Sequence, residues 1–141
     1  GAYFVQAGTF AAEPLVASLV PGFMMWSMIV INEIPDYEAD RRGGKLNLVA
    51  RFGRRTGAVL YAAGLAAAYG TLVAATLVGI LPPLALLGLA SLPFAFKSFV
   101  VMRRHLNDPL ALAPANLAMI KVHFATGIGL ITAYLIELYR F

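Results

Sequence analysis

The chain has no cysteine among its 141 residues, which closes the disulfide and thiolate routes to stability, metal binding and nucleophilic catalysis. Charge is also scarce: 13% of the residues are Asp, Glu, Lys or Arg, where an ordinary soluble domain carries about 25%. In place of charge there is apolar surface, 60% of all residues, and that excess excludes a soluble globular domain and points to a membrane protein. The opening GAYFVQAG has no initiator Met, basic leader or signal-type cleavage pattern, so the chain is expected to begin inside a longer protein. The net charge of +4 is no nucleic-acid signal, because eight of the eleven cationic residues fall in two short loops between apolar segments. Such clustering fits membrane topology or phosphate chemistry.

The apolar segments divide the chain into four spans, at about residues 15–34, 57–80, 84–102 and 114–138. Gly1 to Val5 reads as the tail of an earlier membrane helix. Thr9, Glu13 and Pro14 supply a cap, a first-turn acid and a starting proline for the first span. Pro21 and Gly22 lie inside that span, which membrane helices tolerate when neighbours satisfy the freed carbonyl. Thr56 is a candidate cap for the second span, whose many small residues allow close helix approach in lipid. Pro82 and Pro83 make a tight turn to an antiparallel third span, expected to bend at Pro93. The fold class is therefore all-α, a polytopic helix bundle with four transmembrane helices.

Four antiparallel spans put the loop at about 35–56 and the loop after span three on one face. Arg41, Arg42, Lys45, Arg51, Arg54, Arg55, Arg103 and Arg104 lie there, against Arg140 on the other. The bias assigns the first face to the cytoplasm.

The most informative stretch is NEIPDYEADRRGGKLNLVARFG, residues 32–53. It holds four of the seven acidic residues directly after the long apolar run from Leu15 to Ile31. Asp36 and Asp40 are one helical turn apart, and Asn32 and Glu33 share their face if one helix spans all four. Pro35 argues for a kink or break there, while Gly43 and Gly44 stop the helix and Asn47 caps a short turn through Phe52. Two carboxylates one turn apart at the mouth of an apolar bundle suit Mg²⁺, a hard cation that keeps several waters and binds phosphate oxygens on its far side. Lys45, Arg41, Arg42 and Arg51 are available to neutralise those phosphates. The combination describes a site for a diphosphate whose organic tail lies in the membrane. A second reading stays open at this point: a non-catalytic bundle or transporter subunit whose mixed-charge loop only fixes topology.

The same 22 residues resemble the second aspartate-rich motif of the UbiA superfamily of intramembrane aromatic prenyltransferases, with most likeness to the 1,4-dihydroxy-2-naphthoate polyprenyltransferase branch of menaquinone synthesis. The resemblance implies nine membrane helices around a central cavity, with two aspartate-rich motifs holding Mg²⁺ and a prenyl diphosphate. It makes residues 1–141 the C-terminal portion of one prenyltransferase domain, whose partner is the missing N-terminal half of the same fold. Asp36 and Asp40 fall on the metal-binding aspartates, Glu33 on the acidic position before them and Asn32 on the first position of the motif. Lys45 falls on the basic residue expected to face the diphosphate, and Asn47 departs from the threonine common in the superfamily. The implied function is Mg²⁺-dependent transfer of a polyprenyl group from polyprenyl diphosphate to an aromatic quinone precursor. 4-Hydroxybenzoate, homogentisate and haem are alternative acceptors. No second motif of this spacing occurs in the chain, so the chain alone is expected to be inactive.

In the fourth span Asn116, His123, Gly127 and Tyr134 fall on one stripe, a candidate polar lining that makes Asn116 and His123 candidate substrate-binding residues. An interhelical hydrogen bond is the competing role for His123. Lys97 and Lys121 are expected to snorkel, His105 and Asp108 to belong to a solvated loop, and Trp26 and its neighbouring methionines to pack in the bundle or face lipid.

Overall fold

A computed structural model describes residues 1–139. Arg140, the basic residue assigned to the far face, lies outside the described residues. A short helix α1 (Ala2–Ala7) ends at Gly8, whose φ of 67° turns the chain. The spans are α2 (Ala12–Glu33), α5 (Arg54–Leu77), a 3₁₀ segment (Pro83–Ser91) running into α6 (Leu92–Arg104), and α7 (Ala113–Leu138). Between α2 and α5 lie two short helices, α3 (Tyr37–Arg42) and α4 (Leu48–Phe52). All four long elements are apolar enough to cross a membrane, and no strand occurs among the described residues. The chain is thus an all-α integral membrane bundle.

Three details differ from the sequence expectation. Ala11, not Thr9, occupies the N-cap of α2, with no side-chain cap bond. Thr56 lies inside α5, and its hydroxyl donates back to the Phe52 carbonyl at 2.9 Å instead of capping. Pro93 sits in the first turn of α6, where a missing N–H costs nothing. The irregularity of the third span precedes it, in the 3₁₀ turns of Pro83–Ser91.

Helix α2 packs along α5, and α7 packs along the 3₁₀ segment, α6 and α2. Glycine sets the closest approaches. A methyl group on Gly64 would collide with Ser27 Oγ of α2, and one on Gly129 would sit 2.8 Å from the Gly88 backbone nitrogen. Buried hydroxyls join the helices across these contacts. Tyr61 Oη donates to Ser98 Oγ at 2.7 Å, and Ser98 Oγ donates to the Ala115 carbonyl at 2.8 Å, linking α5, α6 and α7. Ser27 Oγ donates to the Tyr61 carbonyl at 3.1 Å and ties in α2. Thr126 Oγ1 donates to Ser91 Oγ at 2.8 Å, and the Tyr69 hydroxyl lies 2.7 Å from the same oxygen. In lipid such bonds supply interhelical attraction that apolar contact alone does not. Met24 is buried, while Leu15, Ile29, Phe124, Ile128 and Ile131 are exposed.

Candidate functional site

Alternating helix direction brings residues 34–53 and the connection between α6 and α7 to one end of the bundle. Residues 34–36, around Pro35, form a turn that breaks the helix after Glu33. Asn32 and Glu33 therefore end α2, while Asp36 is the N-cap residue of α3 and Asp40 lies within it. The one-turn relation of the two aspartates survives the break, because the Asp40 N–H donates to the Asp36 carbonyl at 2.8 Å.

The end of α3 explains why a glycine stands directly before Lys45. Gly44 has a φ of 73°, a left-handed conformation that glycine adopts without penalty. The Lys45 N–H then donates to the Asp40 carbonyl at 2.9 Å and the Gly44 N–H to the Arg41 carbonyl at 3.3 Å, the paired bonds of a Schellman ending. Folding back in this way brings Lys45 Nζ to 3.2 Å from Asp40 Oδ2. A methyl on Gly44 would meet nothing within 4 Å, so only its backbone angle resists substitution. Gly44→Ala is expected to cost about 1 kcal/mol. A loss of divalent-cation affinity larger than the loss of thermal stability would show that the turn serves the Asp40 carboxylate.

Asp40 is the hub of the site. Its side chain is 13% exposed against 63% for Lys45, and Asn47 Nδ2 donates to the same Oδ2 at 2.6 Å. Asn47 also caps α4 as expected, its Oδ1 accepting the Ala50 N–H at 2.7 Å. Also on α3, Tyr37 has two guanidinium groups near its ring. Arg41 Nη1 donates to Tyr37 Oη at 2.6 Å, and Arg54 lies 4.7 Å from the ring centroid. The Arg41 hydrogen bond raises its pKa above an already high ordinary value, so that side chain is a permanent cation. Arg54 also pairs with Glu38 at 3.5 Å, the arginine largely buried and the glutamate exposed.

The structure thus brings Asp40, Lys45 and Asn47 together, and directs Arg41 to Tyr37. Asn32, Asp36, Arg42 and Arg51 are exposed at the same end. Glu33 Oε2 is buried with no hydrogen-bond partner among the described residues. Tyr37 was not picked out by sequence, and Arg54 only as a topology charge; the i, i+4 spacing of Tyr37 and Arg41 is the available signal for the tyrosine. On α7, Asn116 Oδ1, His123 Nδ1 and Tyr134 Oη are buried without partners among the described residues, and a methyl on Gly127 would meet nothing within 4 Å. Within the stripe, open space is seen beside Gly127, while the three polar atoms are shielded from solvent. His105 and Lys97 are exposed, as is Lys121, whose Nζ lies 6.0 Å from the Phe94 ring centroid. Asp108 Oδ1 accepts the Leu110 and Ala111 N–H groups, both at 3.1 Å, within the loop before α7.

The donor set is all oxygen, which suits Mg²⁺ far better than a softer metal. Among the described residues no three His, Asp or Glu side chains are close enough to hold one ion. Two aspartates are nevertheless the number that Mg²⁺ ordinarily takes when phosphates and waters complete its shell. The unpartnered Glu33 oxygen is a further acceptor at the end of α2, next to the turn that carries Asp36.

Residues 1–122 match the UbiA prenyltransferase family. The chain is 25% identical over 135 residues to a 1,4-dihydroxy-2-naphthoate octaprenyltransferase of Bacillus subtilis (strain 168), an alignment covering 94% of this chain and 43% of that protein. The chain thus spans less than half the length of that relative. No solved structure matches it.

Proposed function

The chain belongs to the UbiA prenyltransferase family, and from that premise we propose that it is part of an enzyme transferring a polyprenyl group from polyprenyl diphosphate to an aromatic quinone precursor, with 1,4-dihydroxy-2-naphthoate as acceptor. The observation that carries the reading is Asp40, a largely buried carboxylate with Lys45 folded back onto it by the Gly44 turn, one helical turn from Asp36. The name of the Bacillus relative supports the choice of acceptor. The basic residues of the loops at this end support its assignment to the cytoplasmic side.

Asp36 and Asp40 would hold Mg²⁺, which supplies charge neutralisation for a departing diphosphate, with Glu33 at the end of α2 as a separate acceptor for one of its waters. Lys45 is largely exposed and held by one ion pair, so it can turn from Asp40 to a phosphate oxygen. Arg42 and Arg51, both exposed, add cationic donors at the same end. The allylic carbon–oxygen bond breaks with its electron pair leaving on the diphosphate. The ring's π electrons form the new carbon–carbon bond, and a ring proton or a carboxylate, as carbon dioxide, departs. The polar stripe of Asn116 and His123 would receive the ring within an otherwise apolar wall that excludes water.

Lys45→Met in the complete protein is expected to raise KM for the prenyl diphosphate about tenfold, with Lys45→Arg recovering part of it; steady-state kinetics at fixed Mg²⁺ measures both. The acceptor is tested by offering 1,4-dihydroxy-2-naphthoate, 4-hydroxybenzoate and homogentisate to the complete protein with polyprenyl diphosphate. Turnover of 4-hydroxybenzoate without turnover of the naphthoate would overturn the choice of acceptor.

A further inference from the structure

The Asn47 side chain is hydrogen-bonded both to Asp40 of α3 and to the backbone of α4. Its Nδ2 donates to Asp40 Oδ2 at 2.6 Å while its Oδ1 accepts the Ala50 N–H at 2.7 Å. The amide has only one workable orientation: flipped, it would set an oxygen against the Asp40 carboxylate and an NH₂ against the Ala50 N–H. The backbone bond that caps α4 therefore fixes which way the amide donor points.

Both donors to Asp40, Asn47 Nδ2 and Lys45 Nζ, converge on Oδ2, so among the described residues Oδ1 is left without a hydrogen bond. When Lys45 turns away to a phosphate, Asn47 is the contact that still holds the carboxylate. From this geometry we infer that Asn47 is a positioning residue. It clamps Asp40 by Oδ2 and presents Oδ1 to a divalent cation, transmitting the rigidity of the α4 cap to the metal site. The inference rests on the proposed diphosphate and metal reading and adds to it a residue that acts only through Asp40. Groups that orient metal-binding carboxylates in this way typically change metal affinity about 10- to 100-fold when removed.

The test separates cap from clamp. Asn47→Ser keeps an equally good N-cap, but its side chain is one bond shorter and cannot cap α4 and reach Asp40 together. Asn47→Ala loses both contacts. Mn²⁺ binding to the complete protein in detergent, with inorganic diphosphate present, is followed by electron paramagnetic resonance without any turnover. Thermal unfolding is measured alongside. The expected result is an Mn²⁺ affinity about tenfold weaker in both variants, with thermal stability lowered only in Asn47→Ala. Wild-type Mn²⁺ affinity in Asn47→Ser would overturn the inference and leave Asn47 as a helix cap alone. If the parent protein binds no Mn²⁺, or binds it equally after Asp36→Ala, the underlying metal reading fails and takes the inference with it.

Discussion

Replacing Asp40 by alanine in the complete protein is expected to lower Mg²⁺-dependent prenyl transfer by roughly 100- to 1000-fold, the loss typical when one preorganised electrostatic contact to a developing charge is removed. Three consequences coincide at that carboxylate. The cation loses a ligand, Lys45 loses the partner that stores it 3.2 Å away, and Asn47 Nδ2 loses its acceptor. Asp36→Ala should cost a comparable factor through the first consequence alone, since its side chain is exposed and its carbonyl bond to the Asp40 N–H is unaffected by truncation. Neither change touches the buried hydroxyl contacts of the spans. Both variants should therefore reach the membrane and unfold within a few degrees of the parent. Retained activity in either would remove that aspartate from the site.

The second large effect concerns the scaffold. Gly129→Ala is expected to destabilise the bundle by about 1–3 kcal/mol, the usual range for overpacking, because its methyl group would lie 2.8 to 2.9 Å from the backbone of Leu87 and Gly88. Backbone atoms cannot swing aside as a side-chain tip can, so α7 and the 3₁₀ segment must separate. Gly127 is two residues away on the same helix and meets nothing within 4 Å. Gly127→Ala should cost no stability, and the pair compared by thermal unfolding in detergent isolates the close approach from any general effect of removing a helix glycine.

Much of this architecture is legible in the sequence. Long apolar runs fix the spans to within a few residues, and Asp36, Asp40 and Gly44 are readable because helical period and left-handed glycine are local properties. The Asn47 cap of α4 was legible for the same reason. What sequence did not show depends on where the chain folds back. That Asn47 also reaches Asp40 requires the Gly44 turn, and Arg54 meets Tyr37 only because α5 returns beside α3. Tyr61 is fully buried and joins α5 to α6. Its partner Ser98 is 37 positions away, with no periodic signal to link them. Thr9 and Thr56 looked like caps because threonine favours that position, but Ala11 and Gly53 take it.

One motif is present in 141 residues, and a diphosphate clamped from a single side is poorly held. This chain on its own is accordingly expected to give no detectable turnover, assayed purified in detergent at saturating Mg²⁺; turnover would mean that residues 32–53 suffice for catalysis. The central claim is that this stretch binds a prenyl diphosphate through a divalent cation for transfer to an aromatic ring. The most direct measurement is prenylation of 1,4-dihydroxy-2-naphthoate by the complete protein, with Mg²⁺ and with chelator, in the parent and in Asp40→Asn. The account predicts prenylated product from the parent with Mg²⁺, and a loss of product with chelator or in the variant; product formation indifferent to both would contradict it.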